Sequence, residues 1–306
     1  MAIRSIVVGD INDANMTTTI VTLDEEQERY EIREVIKVSA GFNKGAEYAL
    51  PTFVRQLNNA VRRAKDLNVE GIAVSSAGVL DHETGRVISA NRLMVGWPGI
   101  ELKREIEQGC GLPCAVIGEV DASVLGEARW GGSRGKSECL VVNVGTEIVG
   151  ASLRGGQIQS GEALVEQLGK QRLAHGGSLE DVASVPAILD CYGDLGGDRM
   201  YHHDKRRPKG YPMTVAEMAR RASEEGDELS IEAQQRGGRA LGELIASLDL
   251  GFESVVLTGP ACGFGQPYTD AVAEGLGGAI SLSLAELGDR AQLIGAAEHF
   301  IHPAYA

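Results

Sequence analysis

Residues 118–132 read GEVDASVLGEARWGG and follow directly on the apolar run LPCAVIG, residues 112–118. The run is short, rich in small and β-branched residues, and predicts a buried strand. The segment after it has the composition of a helix. A strand that passes into a helix through a glycine is the basic step of an α/β fold. Two acids, Glu119 and Asp121, flank a valine at that step. A helix N-cap accounts for one acid, because a carboxylate there accepts backbone N–H bonds. A general base at the mouth of a cleft accounts for one equally well. On position alone the cap is the commoner role.

The pattern extends in both directions. RSIVVGDI (4–11) and MTTTIVTLD (16–24) are strands separated by the turn-forming NDAN, so the chain opens with a hairpin. ALPTFVRQLNNAVRRAKDLNV (49–69) carries Phe53, Leu57, Val61 and Leu67 at helical spacing. EGIAVSSAGVL (70–80) is a strand running into a glycine turn, DHETG and RVIS (81–89) a tight turn and short strand. WPGIELKREIEQGCGLP (97–113) predicts a proline-started helix stopped by glycine. The second half repeats the scheme. ECLVVNVGTEIVGASLRGGQI (138–158) is two strands around a glycine turn, and residues 214–248 form a long helical region broken near Gly226. SVVLTGPACGFG (254–265) is a strand ending in a glycine-rich loop, and DRAQLIGAAEHFI (289–301) a closing helix. The polar YHHDKRRPKGYP (201–212) reads as an exposed loop; His202, His203 and Asp204 in it are more simply loop residues than metal ligands.

Composition narrows the function. The 306 residues are 43% hydrophobic and 24% charged, with 40 glycines, and suit one large or two smaller α/β cores. A net charge of −14 argues against nucleic-acid and anionic-membrane partners. No apolar run approaches the roughly 20 residues that span a bilayer, and MAIRSIVVGD lacks the form of a signal peptide. The five cysteines, Cys110, Cys114, Cys139, Cys191 and Cys262, are scattered without a CxxC pair and read as reduced core residues of a cytoplasmic protein.

Over residues 71–132 the sequence resembles the bacterial ROK sugar kinases of the actin/hexokinase superfamily. The residues that carry the likeness are Gly78, Asn91, the pair Gly96–Trp97, Asp121, and Gly126–Glu127. It continues through VNVGTEIVGASLRGG, GSLEDVAS, SVVLTGPACGFG and LIGAAEHF. The resemblance implies a two-lobed actin-like ATPase (ribonuclease H-like) α/β fold with a duplicated βββαβα plan. It implies an N-terminal lobe over 1–120, on which a helix at 289–302 packs, and a C-terminal lobe over 121–288. It assigns Asp121 as general base. Gly78, Asn91, Glu119, Gln167, Lys170 and Glu180 fall at substrate positions. Asp10, Gly145, Thr146, Gly259, Gly263 and Gly265 fall at nucleotide positions, Asp10 also beside Mg²⁺. The function implied is ATP-dependent phosphorylation of a hydroxyl on a sugar, amino sugar or cyclitol, by a homodimer.

The departures bear on that reading. The family's Asp-x-Gly-Gly-Thr is here Asp10-Ile11-Asn12-Asp13-Ala14, and its Gly-Thr-Gly-Ile-Gly is Gly145-Thr146-Glu147-Ile148-Val149. Side chains thus replace hydrogens where backbone amides would cradle phosphate. Gly-Glu-x-Gly-His becomes Glu166-Gln167-Leu168-Gly169-Lys170, and the cysteine-rich tail survives only as Gly177-Ser178-Leu179-Glu180, so a structural zinc has no ligand set. Val120 stands where the family has asparagine. A protein of this fold that binds sugar or nucleotide without transfer is the alternative. A DNA-binding repressor is disfavoured, since residue 3 already enters a strand and leaves no room for a helix-turn-helix.

Overall fold

The computed structural model describes residues 3–159, 163–198, 200–201 and 211–303; residues 202–210 of the basic loop lie outside these. The chain divides into two compact units, 1–131 with 287–306, and 132–286.

In the first unit the strands are β1 (Arg4–Ile11), β2 (Asn15–Asp24), β3 (Arg29–Ser39), β4 (Val69–Ser76), β5 (Val79–Asp81), β6 (Arg86–Ser89) and β7 (Cys114–Gly118). The main sheet has the order β3-β2-β1-β4-β7, with β5 and β6 as a separate hairpin. β1 is antiparallel to β2 and parallel to β4, which is parallel to β7. β1 is buried along nearly its whole length, as its unbroken apolar run requires of a central strand. Helices α1 (Ala46–Arg63) and α2 (Leu102–Cys110) cover one face, where Phe53, Leu57, Ile106 and Trp97 pack on Val7, Ile11 and Val74. Gly9 is required there: a Cβ on it would lie 2.6 Å from the Phe53 ring. The loop before α2 contains a difference from the sequence expectation. Pro98 does not start the helix; Gly99 takes φ +94° and its amide bonds to Val87 O, so Trp97–Ile100 is a turn and α2 begins at Leu102.

Helix α3 (Glu119–Trp130) follows β7 without a loop and belongs to this unit. The division after Gly131 therefore falls eleven residues beyond the 120/121 boundary that the resemblance implies, because α3 stays with the strand that feeds it. The chain's last helix also packs here.

The second unit repeats the arrangement. Its strands are β8 (Cys139–Val144), β9 (Ile148–Arg154), β10 (Gln157–Ile158), the small pair β11 (Met200–Tyr201) and β12 (Tyr211–Pro212), β13 (Ser254–Thr258) and β14 (Ser281–Leu284). Its main sheet has the order β10-β9-β8-β13-β14, which is the order of the first sheet with each strand replaced by its counterpart. The helices are α4 (Ala163–Glu166), α5 (Glu180–Ala183), α6 (Val185–Asp194), α7 (Val215–Arg220), α8 (Glu228–Ser247) and α9 (Gln266–Gly275). The long helical region breaks where expected: Gly226 adopts φ +65°, and Asp227 caps α8 by accepting from the amides of Leu229 and Ser230.

Helix α10 (Ala291–Ile301) returns to the first unit and lies against α3, β4, β1 and β7. Two glycines set its distance from α3. A Cβ on Gly295 would sit 1.7 Å from Ala122 O, and one on Gly126 would sit 2.3 Å from Ala291 O. The buried Glu127 accepts from the Leu287 amide at 3.0 Å, and the Trp130 indole donates to the buried Glu298. The described residues contain no helix long and apolar enough to cross a membrane.

Candidate active site

In a parallel α/β sheet, binding residues gather beyond the carboxyl ends of the strands, where helices begin and backbone groups are still unpaired. In the first unit, register brings β1, β4 and β7 to a common edge. Asp10 stands opposite Ser75, and Ser76 opposite Gly118. The β1–β2 turn, residues 12–14, projects from the same edge. Asn12 Oδ1 closes it by accepting from the amides of Ala14 and Asn15 at 3.1 and 2.9 Å. Asn12 is thus a hairpin residue, and Asp13 is left at the tip.

Asp10 is 7% exposed, and its Oδ1 is buried with no hydrogen-bond partner. Burial pushes its carboxyl up to about 6; Ser75 and Lys37 pull the other way, and Asp289 adds to the rise. Lys37 belongs to the same row of the sheet, opposite Thr17, which is opposite Asp10. Glu119, at the start of α3, is pushed up to about 7, first by burial and then by Asp10 and Asp13. The Asn91 side chain joins the group, donating to Asp13 Oδ2 at 2.9 Å while its own Oδ1 accepts from the Leu93 amide at 2.7 Å. Asp10, Asp13, Asn91 and Glu119 therefore form one cluster.

Asp121 lies two residues beyond Glu119 in the same first turn and is half-buried. It is not the N-cap. The helix starts at Glu119, and Gly118 holds the cap position in extended conformation with no side chain to offer. The carboxylate leans back toward Gly118, where an added Cβ would meet Asp121 Oδ2 at 3.3 Å. Gly78 takes φ +103° in the turn after β4, so close to β6 that a Cβ would lie 2.4 Å from Ser89 O. The Trp97 indole donates to Ser76 Oγ at 3.2 Å and is fully buried, so it supports this edge from beneath.

The second unit gathers glycines at the equivalent edge. Gly145 follows β8 and Gly259 follows β13, whose ends pair Asn143 with Thr258. Gly259 has φ +89°, and a Cβ there would lie 2.1 Å from Asn143 Oδ1, which is buried without a partner. Pro260 Cδ comes within 3.6 Å of a Cβ position on Gly145, so the two turns are neighbours. Thr146 and Glu147 are exposed at the tip of the β8–β9 turn. Gly263 sits in the short helical turn Pro260–Phe264, and Gly265, with φ +91°, precedes α9. Glu180 already has a structural task, its Oε1 accepting from the Ile148 amide at 3.0 Å above Gly169. Gln167 and Lys170 are exposed nearby.

The structure thus assembles Asp10, Asn91, Glu119 and Asp121 on one unit, and Gly145, Thr146 and Gly259 on the other. Asp13, at a turn position where the resembled motif has glycine, is legible as an added side chain; its bond to Asn91 is not. Among the described residues a separate trio, Glu25, Glu298 and His302, has the composition of a metal ligand set. It lies at the opposite end of the sheet, beyond Leu23, which pairs with Arg4.

Twin five-stranded sheets, one bearing carboxylates and the other glycine turns at the carboxyl edge, define an actin-like ATPase fold. The chain belongs to the ROK family, whose sequence profile matches residues 15–302. A ROK hexokinase from Thermus thermophilus superimposes with TM-score 0.73 at 23% identity, covering 96% of each chain. A ROK glucokinase from Streptomyces griseus, solved in complex with glucose and AMPPNP, does so with TM-score 0.68 at 22% identity, over 97% of this chain and 98% of that one. The DNA-binding transcriptional repressor Mlc of Escherichia coli is 27% identical over 197 residues, 61% of this chain and 47% of the repressor. The chain spans about half the length, or less, of the curated relatives it matches. The family therefore includes relatives named as sugar kinases and others named as repressors.

Proposed function

We propose that this protein transfers the γ-phosphoryl group of ATP to a hydroxyl of a sugar or sugar-like polyol, with Asp121 as the general base. The observation that carries the reading is the place of Asp121: in the first helical turn after β7, at the edge shared with Asp10, with Gly118 rather than Asp121 in the cap position. In the reaction Asp121 accepts the proton of the attacking hydroxyl as its oxygen bonds to the γ-phosphorus. The bond to the β,γ-bridging oxygen breaks, and ADP leaves. On the first unit Glu119 orients the polyol, with Gly78 allowing the β4 turn to approach and Asn91 positioning Asp13; on the second unit Glu180, Gln167 and Lys170 are the positions the resemblance assigns to substrate. The Gly145 amide is held by Glu147 O at 3.0 Å, so at this turn Thr146 meets the phosphate oxygens by its amide and hydroxyl, and the loop through Gly259, Gly263 and Gly265 meets the adenosine.

A Mg²⁺ ion accompanies ATP in this reading. The buried, unpartnered Asp10 Oδ1 fits it, since an oxygen donor with no protein partner suits a hard cation. Bound there, the ion would neutralise charge on the transferring phosphoryl group.

The test is ADP formation with a panel of hexoses, amino sugars and cyclitols, run beside Asp121→Asn. Turnover by the parent and a loss of about 10³-fold in the variant are expected. The side chains at the phosphate turns, Asp13 and Glu147, favour a second reading, a protein that binds without transfer. Thermal stabilisation by a sugar with no ADP from any substrate would establish that reading instead.

A further inference from the structure

At the end of the first sheet remote from Asp10, three segments bring metal-ligating side chains together. Glu25 opens the turn between β2 and β3, Glu298 lies on α10, and His302 directly follows that helix. One ligand atom from each, two carboxylate oxygens and a ring nitrogen, all lie within 4.8 Å of one another. His302 Nε2 already meets Glu25 Oε1. Donors around a four-coordinate ion with bonds of about 2.0–2.1 Å stand about 3.3 Å apart, so small side-chain rotations complete the set.

The surroundings hold these ligands in place. Glu298 is 3% exposed, and the Trp130 indole donates to its Oε1, which fixes the carboxylate as outer hydrogen bonds do in metal sites. Trp130 in turn meets Tyr30 of β3 edge-on, with ring centroids 6.0 Å apart. The His302 amide donates to the Glu298 carbonyl at 2.7 Å, so the imidazole is carried on the last turn of α10. Burial pushes the Glu298 carboxyl above its ordinary range and Glu25 adds to the rise, while Trp130, His302 and Arg129 pull the other way. The neighbouring cations are placed for other work. Arg4 is committed to Glu70, its Nε meeting both carboxylate oxygens at 2.9 and 3.0 Å, and Arg129 is exposed. An imidazolium sets one charge against two carboxylates; a divalent cation matches both. One nitrogen and two oxygens suit Zn²⁺, whereas Mg²⁺ and Ca²⁺ prefer larger sets made of oxygen alone.

We propose that Glu25, Glu298 and His302 bind one Zn²⁺ ion, with water as the fourth ligand, and that the ion clasps the end of α10 to the β2–β3 turn. The site is distinct from the remnant of the cysteine-rich tail at residues 177–180, which belongs to the second unit. Arg4, at this end of β1, is six residues or roughly 20 Å from Asp10, so the inference does not depend on phosphoryl transfer.

The test uses the untagged full chain, stripped with EDTA and dialysed. Calorimetric titration with zinc chloride should give one site per chain with a dissociation constant of about 10 µM or tighter. Saturating Zn²⁺ should raise the melting temperature by several degrees over the stripped protein. His302→Ala and Glu25→Gln, both at partly exposed positions, should each weaken binding tenfold or more and abolish the rise. Glu298→Gln should do the same where it melts like the parent in EDTA; if it fails to fold, the other two variants decide. Replacing His202 and His203 of the basic loop by alanine should leave both readouts unchanged. Co²⁺ in place of Zn²⁺ should give visible absorption without a thiolate charge-transfer band. Absence of saturable binding below about 100 µM overturns the inference, as does binding that survives His302→Ala. A thiolate band, or equal affinity for Mg²⁺, would place the ion elsewhere and overturn it too.

Discussion

Glu119 and Asp10 hold protons at a pH where ordinary carboxyls have lost them, about 7 and about 6 respectively. In the unfolded chain both ionise near 4. Between roughly pH 4 and 7 the folded protein therefore binds more protons than the unfolded one, so their contribution to stability is full below that window and lost as pH rises through it. Glu119→Gln removes the ionisation without changing the shape. We predict that it raises the melting temperature at pH 8 by about 1–3 °C relative to the parent, and by less at pH 5. Calorimetry across that range checks it, and an unchanged difference between the two pH values would contradict it. Much at this scale was readable beforehand. A carboxylate at residue 121 and an acid at 119 announce themselves by following a buried strand. The pairing of Asp13 with Asn91 does not, because 78 residues separate the partners and only strand register and the β5–β6 hairpin bring them together. The cap role for Asp121, the simplest reading by position, fails because α3 begins two residues earlier, at Glu119.

At the level of elements the closest packing is between α3 and α10, where Gly126 and Gly295 each face a backbone carbonyl of the other helix. No rotamer can relieve a methyl group 1.7 Å from a carbonyl oxygen. Gly295→Ala should force the helices apart and cost about 3 kcal/mol or more; denaturant unfolding measures it. Because α3 carries Asp121, the displaced variant should lose turnover out of proportion to its remaining folded fraction. In the second unit Gly259→Ala adds both a strained φ and a collision with Asn143 Oδ1 and the Val144 backbone. A loss of about 1–3 kcal/mol is expected, with weakened nucleotide binding as the readout that separates it from substitutions elsewhere. The sequence shows the central strands, whose apolar runs are continuous, and hides the edge strands. β3, RYEIREVIKVS, alternates charged and apolar residues with most positions open to solvent, and nothing in it announces pairing with β2. β10 and β14 are short; β14 has no buried position, and β10 buries only Ile158.

For the molecule as a whole, the division at 131 and 287 makes the C-terminal segment part of the first core. Deleting residues 287–306 uncovers the face of β4 on which Phe300 lies near Gly71, and removes the Glu298 partner of Trp130. Both tryptophans, Trp97 and Trp130, belong to that unit. The truncated chain should show red-shifted tryptophan emission, while far-ultraviolet circular dichroism retains the helical signal of α8 and α9. An unshifted emission spectrum would refute it. The Glu127–Leu287 hydrogen bond carries a further implication. The chain leaves the first unit after α3 and re-enters it at Leu287, and those two points are already joined: a Cβ on Gly131 would lie 3.1 Å from the Leu287 side chain. Topologically, residues 132–286 are a cassette spliced into a single seam. Bridging that seam with a few-residue linker should release a free-standing 1–131/287–306 miniprotein, and the same seam is where an unrelated module could be grafted in its place.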